Sequence, residues 1–345
     1  MKYICILIGI ICFCGCEEYY MPSVNANDTI YAFDCLITDQ PGPYTLKITK
    51  ANGYDNNDKY SIVDNAEVCI VDNDSMVYKF NYCNGQYYSD NDFIAKIGKS
   101  YQLRVHINED IHFYSEWEEL LDCPDIIDIT ADMKKAYSSS RDIIEEGIVV
   151  MNTTNTNNHT PYYRYDCKMV MQTLQRYSGP AQIERYIFRP NTTSGSIIIA
   201  ESTDYENSII DGNDLFNVPR QSFNYEDNGI IPNTPFNVYY SGIYVFVRQY
   251  SMSYKQYQYW MSVNEQQKNN YYLFGDIENQ PVGNISGSNG EIALGYFCVS
   301  AIKSKSKAFS LSKDRVKTYD IDYFPQIDTV TILETKPNFA ILFSN

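Results

Sequence analysis

The sequence has 345 residues, of which 33 are tyrosine and 16 are phenylalanine, and its formal net charge at pH 7 is −16. Nucleic-acid binding needs a basic surface, so a charge of this sign disfavours a nucleic-acid partner. The length suits two domains, and the abundance of tyrosine favours β-strands, whose pleated surface accommodates aromatic side chains.

The amino terminus has the pattern of a signal peptide. Lys2 supplies a positive start, and residues 3–13 are almost wholly apolar. This run is too short to span a bilayer but suits the core of a signal peptide over residues 1–15. A buried strand or a short anchor is the alternative interpretation of the same residues.

The end of the apolar run resembles a bacterial lipobox. Such a site needs a small residue before the modified cysteine, and Gly15 precedes Cys16. Cys12 and Cys14 follow larger residues and do not fit. We therefore predict that Cys16 carries acyl chains such as palmitate, which hold a protein stably on a membrane when several are attached. Residues 16–27 then form a lipidated linker.

Two acidic residues, Glu17 and Glu18, follow the predicted lipidation site. Acidic residues directly after a lipidated cysteine resemble the signal that sends some bacterial lipoproteins to the outer face of the outer membrane. They predict a protein anchored by lipid in the outer membrane and exposed at the cell surface. The alternative is that residues 17–27 are only a solvated linker.

Residues 28–120 contain many short runs of strand-forming residues separated by turn signals. Residues 40–43 (QPGP) form one such signal, because proline fixes φ and glycine permits a positive φ. Residues 101–107 alternate cleanly between apolar and polar side chains. Strands at this spacing predict an N-terminal antiparallel β-sandwich of immunoglobulin-like size.

Two histidines, His106 and His112, are predicted to face each other across a hairpin on the outer face of this domain. A site with two histidines and a carboxylate could bind a metal ion. An exposed cross-strand pair is the simpler interpretation, because no further histidine lies near in sequence. We therefore predict no metal site and no cofactor.

Residues 121–345 are predicted to form a second antiparallel β-rich domain that carries one amphipathic helix over residues 254–267. Ser253 and Gln256 have the spacing of a capping box, which marks the start of a helix. The helix is expected to pack its apolar face on a sheet that includes residues 243–248 and 293–301. This apolar face comprises Tyr254, Tyr257, Trp260 and Met261.

Motifs for catalysis are absent from the sequence. There is no HExxH, GxSxG, P-loop or GxGxxG ahead of a helix, and only three histidines occur, so no catalytic residue is predicted. A carboxylate pair, as in a glycosidase, stays an alternative because spacing in sequence does not give spacing in space. Six cysteines follow Cys16, and the sequence does not fix their pairing. They are Cys35, Cys69, Cys83, Cys123, Cys167 and Cys298.

Tyrosines concentrate around the predicted helix, and three of its aromatic residues could form a recognition surface. They are Tyr254, Tyr257 and Trp260. Tyrosine and tryptophan combine apolar area with a polar group, which suits binding of sugars or proteins. Packing of the helix on the sheet is the interpretation that we favour.

Three Asp-Ser/Thr-apolar triplets resemble an O-glycosylation motif of exported bacterial proteins. Their candidate acceptors are Thr29, Ser75 and Thr329. Each triplet lies at a predicted turn or at the edge of a segment, where an acceptor would be accessible.

Several segments resemble one family in the same order along the chain. They are ITDQPGPYTLKIT (37–49), PYYRY (161–165), RQYSMSYKQYQYW (248–260), PVGNI (281–285) and LGYF-VSA (294–301). They resemble the Bacteroidota lipoprotein family called domain of unknown function 4249. No biochemical activity is established for that family, so no catalytic residue follows from the resemblance.

The resemblance implies an outer-membrane lipoprotein, and family members are commonly encoded beside TonB-dependent uptake receptors. Together with the anchor and the aromatic-rich second domain, it predicts a non-enzymatic binding or accessory module, with such a receptor as its partner. A glycan-directed enzyme is one alternative. A structural or adhesive surface protein is the other.

Overall fold

The computed structural model describes residues 29–51, 60–137, 144–154, 162–177, 184–192, 198–201, 209–210, 229–230, 236–269, 281–312 and 315–340. The strands as far as the helix are β1 (Ile30–Thr38), β2 (Thr45–Ala51), β3 (Tyr60–Ile62), β4 (Glu67–Asp72), β5 (Val77–Cys83), β6 (Gln86–Ser89), β7 (Ser100–His106), β8 (His112–Ser115), β9 (Glu118–Glu119), β10 (Ile126–Tyr137), β11 (Ile144–Thr154), β12 (Tyr162–Tyr177), β13 (Glu184–Thr192), β14 (Ile198–Glu201), β15 (Ile209–Ile210), β16 (Gly229–Ile230) and β17 (Phe236–Met252). Helix α1 (Tyr254–Asn269) follows, and then β18 (Ile285–Gly287), β19 (Ile292–Ser300), β20 (Ile302–Ser312), β21 (Arg315–Asp320) and β22 (Thr331–Leu333).

The first sheet has the strand order β18-β8-β7-β4-β5-β6-β2-β1-β19, with β3 beside β2 and β9 beside β7. Its strands follow the alternation seen in the sequence. In β7, Tyr101, Leu103 and Val105 are buried, and the residues between them are partly exposed, as predicted. Because a strand places successive side chains on opposite faces, this alternation gives the sheet one apolar face and one polar face.

The pairing of β1 with β19 is parallel, and it runs in unbroken register from Ile30 opposite Ile292 to Thr38 opposite Ser300. Antiparallel pairs join the other described strands of this sheet. The chain therefore leaves the first sheet after β9 and returns to it only at β18. The predicted domain boundary between residues 120 and 121 does not limit this sheet, since two of its strands lie far beyond that boundary.

A second sheet has the order β21-β20-β17-β12-β13-β22, with β14 beside β12 and β16 beside β17. Its centre is the long antiparallel pair of β12 and β17, which is in register from Tyr162 opposite Met252 to Tyr177 opposite Phe236, with a bulge at Gln172. A third sheet contains β10, β11 and β15.

One hydrophobic cluster joins the first and second sheets. It includes Phe33, Phe113 and Phe297 of the first sheet with Tyr163 and Val247 of the second. The rings of Phe33 and Phe113 lie 4.9 Å apart, although they belong to strands distant in the sheet order. Burial of each such side chain is worth about 2 kcal/mol, so this shared core holds the two sheets together.

The predicted fold class is confirmed. The protein is mainly β, its sheets are largely antiparallel in a sandwich-like arrangement, and α1 is the helix that the sequence predicted. In the part of the chain that the structure describes, no helix is long and apolar enough to cross a membrane.

The predicted surroundings of the helix need a correction. Residues 243–248 and 293–301 were expected in one sheet, but β17 belongs to the second sheet and β19 to the first. Helix α1 contacts both of these strands as well as β12 and β14. It therefore lies across the junction of two sheets, because β19 pairs with β1 rather than with its neighbours in sequence.

Two glycines allow the backbone to pack closely beside the β1–β19 pair. A Cβ on Gly295 would lie 2.0 Å from Phe33 O, and one on Gly283 would lie 1.9 Å from Gly295 O. Gly295 also has a φ of +104°, which L side chains rarely adopt. Only glycine fits at these two positions.

Gly295→Ala should lower the free energy of unfolding by about 3 kcal/mol or more, because the methyl group collides with backbone that cannot move alone. Denaturant unfolding of the variant and the wild type measures the difference. Gly290→Ala is the matched control, since Gly290 has a φ of +87° but open space around its Cβ position. The control should cost only about 1 kcal/mol, and equal costs for the two variants would contradict the role of close packing.

Candidate functional site

Helix α1 begins directly after Ser253, which caps it. Ser253 Oγ accepts a hydrogen bond from Gln256 N at 3.2 Å, which is one half of the predicted capping box. The other half is not formed, because the Gln256 side chain points inward and donates from Nε2 to Ser300 Oγ. Gln256 is 1% exposed, whereas Tyr254, which was predicted on the buried face, is 55% exposed.

A buried carboxylate fixes this end of the helix. Glu118 accepts hydrogen bonds from Tyr296 Oη at 2.5 Å, from Asn284 Nδ2 at 3.1 Å and from Ser253 Oγ at 3.1 Å. Asn284 also exchanges two hydrogen bonds with the backbone of Phe297. Glu118 therefore joins β9, the start of α1, the segment before β18 and β19 at one point.

Burial raises the pKa of the Glu118 carboxyl, and its three side-chain hydrogen bonds act in the opposite direction without cancelling the rise. Burial also raises the pKa of Tyr296, and the neighbouring Glu118 adds to the increase. The phenol thus stays protonated and can donate to the carboxylate. Buried polar groups of this kind are stable only while each keeps its partner.

The predicted recognition residue Trp260 is half-buried and packs inward. The Arg164 guanidinium lies between two rings, 4.6 Å from the centroid of Trp260 and 4.7 Å from that of Tyr250. Such cation–π contacts stabilise by roughly 0.5–2 kcal/mol each. Burial raises the pKa of Cys298 beneath the helix to about 12, although the nearby Arg164 charge acts to lower it.

Three tyrosines form a partly exposed group at the start of α1, which we call the tyrosine cluster. It consists of Tyr162, Tyr254 and Tyr257. The ring of Tyr162 stacks on Tyr257 at 4.6 Å with an interplanar angle of 30°, and it lies 5.4 Å from Tyr254. The buried neighbours described above fix the base of the cluster, so it offers aromatic surface on a rigid element.

The structure therefore divides the three residues that the sequence grouped as a recognition surface. Trp260 anchors the helix, in agreement with the packing interpretation. Tyr254 and Tyr257 belong to the tyrosine cluster, where they remain accessible to a partner. Tyr259 also packs inward, with its ring 5.0 Å from that of Tyr296. Burial raises the pKa of Tyr259 to about 12.

The other predicted sites lie elsewhere. Cys16 falls outside the residues that the structure describes. Of the glycosylation candidates, Ser75 and Thr329 are exposed and Thr29 is half-buried. Glycosylation at these residues stays a prediction.

The two histidines do face each other, since His106 is in register with His112 and their rings lie 4.6 Å apart. Among the described residues, no group of three or more histidine, cysteine or acidic side chains is arranged to hold a metal ion. No disulfide joins the six cysteines after Cys16 in the part of the chain that the structure describes, and Cys35, Cys123, Cys167 and Cys298 are buried.

Sequence reasoning missed Arg164, Glu118 and Asn284. One signal for Arg164 was present, because the alternation of PYYRY places Tyr162 and Arg164 on the same face of a strand. Glu118 and Asn284 carried no comparable signal. The contact between them joins segments more than 100 residues apart in the chain.

A family model described as domain of unknown function (DUF4249) matches residues 17–306. No curated protein matches the chain.

Replacing Trp260 and Tyr254 one at a time should show that Trp260 stabilises the fold, whereas Tyr254 is an exposed residue that the fold does not need. Trp260→Ala should lower the free energy of unfolding by about 3 kcal/mol, because it removes a half-buried indole and the cation–π contact with Arg164. Tyr254→Ala should change it by about 0.5 kcal/mol or less, since surface substitutions have small effects. Denaturant unfolding measures both variants, and a larger loss for Tyr254→Ala would contradict the division.

The stability of the protein should contain a pH-dependent term from Glu118. A raised folded-state pKa means that the native state binds more protons than the unfolded chain, so this term weakens as pH rises above the ordinary glutamate value of 4.5. The Glu118→Gln variant lacks this pH-dependent term, because a glutamine side chain does not titrate. The free energy of unfolding of the wild type minus that of the variant should therefore fall between about pH 4 and pH 7. A difference that increases over this range would show that the hydrogen bonds outweigh burial.

Proposed function

The chain belongs to the DUF4249 family, and we propose that it is a lipid-anchored outer-membrane protein exposed at the cell surface, where it acts as a non-enzymatic binding module for a TonB-dependent uptake receptor. The observation that carries the proposal is the tyrosine cluster. Tyr254 is 55% exposed, yet it stands at the start of a helix that buried hydrogen bonds of Glu118 and Gln256 hold in place.

Exposed aromatic groups on rigid supports are favourable contacts in protein interfaces. Tyrosine supplies a large contact area, and few of its torsions have to be fixed when a partner binds. In the tyrosine cluster, Tyr162 and Tyr257 already stack on each other, so part of the ordering cost is met before binding. The cluster therefore offers exposed ring faces to a partner.

Lipidation at Cys16 supports the proposed location. The apolar run of residues 3–13 and the Gly15-Cys16 pair have the features of an export signal that ends at an acylated cysteine. Acyl chains would hold the protein at the membrane, where the receptor is already embedded. Confinement of both proteins to one membrane raises their effective concentration, so a modest interface is sufficient.

The proposal is tested by purifying the full chain, with an affinity tag, from membranes of its native host after mild cross-linking. The wild type should recover a TonB-dependent receptor. The double variant Tyr254→Ala, Tyr257→Ala should recover at least about tenfold less, because aromatic anchors dominate such interfaces. Cys16→Ala should leave the membrane fraction and lose the receptor as well.

Tyr323→Ala is the matched control, because Tyr323 is 58% exposed but lies on a different part of the surface. It should recover the receptor as the wild type does, and thermal melts should show that all variants are folded. If no receptor is recovered with the wild type, or if the double variant and the control behave alike, the proposal is wrong.

A further inference from the structure

The exposed face of β7 and β8 carries an unusual group of side chains, which we call the β7–β8 face. It consists of Arg104, His106, His112, Tyr114 and, directly after β8, Trp117. Register places Arg104 opposite Tyr114 and His106 opposite His112. This face holds two of the three histidines in the sequence and one of its two tryptophans. The tyrosine cluster uses none of these residues.

A groove of about 380 Å³ opens on this face, and Arg104, Trp117, Asn73 and Ser75 are among the residues that line it. Its volume falls within the range of small-molecule sites. Trp117 is 47% exposed, although an indole of this size gains most from burial. The groove therefore offers a ligand one aromatic surface beside polar groups.

The acidic side chains nearest the groove are already paired. Asp72 has a fully buried side chain that accepts hydrogen bonds from Lys99, Tyr78 and two backbone N–H groups. Lys99 also binds Asp74 at 2.7 Å. Both carboxylates thus pair with Lys99 rather than with Arg104.

Arg104 is the unpaired charge in the groove. Its Nε donates to Gln102 Oε1 at 3.0 Å, and its two terminal nitrogens have no hydrogen-bond partner among the described residues. No described carboxylate lies within 4.0 Å of its guanidinium. A free guanidinium is notable in a chain with a net charge of −16, because acidic partners are plentiful. Its two free nitrogens match the two oxygens of one carboxylate.

We propose that this groove binds a sugar that carries a carboxylate. Arg104 would pair with the carboxylate, and the ring face of Trp117 would pack against the C–H groups of the sugar, whose partial positive charge suits the negative face of an indole. Asn73 and Ser75 are exposed polar residues that line the groove and can bond hydroxyl groups. A single arginine fits a carboxylate better than a phosphate, which usually binds several cationic groups.

The test uses methyl glucuronide as the ligand. Methyl glucoside is the control that has the sugar ring without the carboxylate, and acetate is the control that has the carboxylate without the sugar. Isothermal titration of the folded protein should show binding of the glucuronide at least about tenfold tighter than that of either control, one tenfold step being about 1.4 kcal/mol. Arg104→Gln should remove this preference. Trp117→Ala should weaken the glucuronide by about tenfold, and Trp117→Phe should retain most of the affinity.

Arg176→Gln is the control variant, since Arg176 is an exposed arginine on the second sheet and pairs with Glu184. It should bind the glucuronide as the wild type does, and thermal melts of all variants show whether they are folded. Equal binding of glucuronide and glucoside, equal binding of acetate, or an unchanged affinity in Arg104→Gln would overturn the proposal. Absence of glucuronide binding at about 10 mM would do so as well.

Discussion

The parallel pairing of β1 with β19 is the constraint on which the remaining architecture depends. It brings residues 292–300 against the first described strand of the chain and so adds the end strand of the first sheet beside Phe33, whose ring packs on Phe113. It also sets the position of α1, because the outward side chains of β19, including Tyr296 and Ser300, form the floor under the helix. Parallel strands need a long crossover, and here the chain between β1 and β19 forms most of the first sheet together with β12, β13, β14, β16 and β17 of the second.

Buried hydrogen bonds fix the orientation of α1 on the apolar core. Glu118 is buried at the point where β9, α1 and β19 meet, and a buried carboxylate is stable only with hydrogen bonds to several donors. These donors have fixed positions, so they define one orientation of the helix rather than a range of similar ones. Apolar packing alone would permit small shifts along the sheet. Because Tyr254 and Tyr257 of the tyrosine cluster lie on this helix, the buried hydrogen bonds of Glu118 also fix their positions.

Local features of the sequence predicted local structure well. The alternation through Tyr101, Leu103 and Val105 identified β7 and its buried face, and Ser253 identified the start of α1 within one residue. Pairing between distant segments was not predictable, because periodicity gives the faces of β19 but not the strand beside it. The buried Gln256 and Glu118 were missed for a related reason. A polar residue is expected at the surface unless its partners are known, and those partners are remote in sequence.

The distance along the chain between β1 and β19 also has a consequence for how the protein reaches its native state. Residues 30 and 292 must meet before the first sheet is closed, and contacts of such long range slow folding because much chain entropy is lost before they form. During synthesis, β1 has no partner on this edge until about residue 300 has emerged, and its exposed N–H and C=O groups can pair with another chain. An N-terminal fragment that lacks β19 would therefore retain an unpaired edge at β1. The N-terminal strands of the first sheet thus depend on β19 to complete their folding.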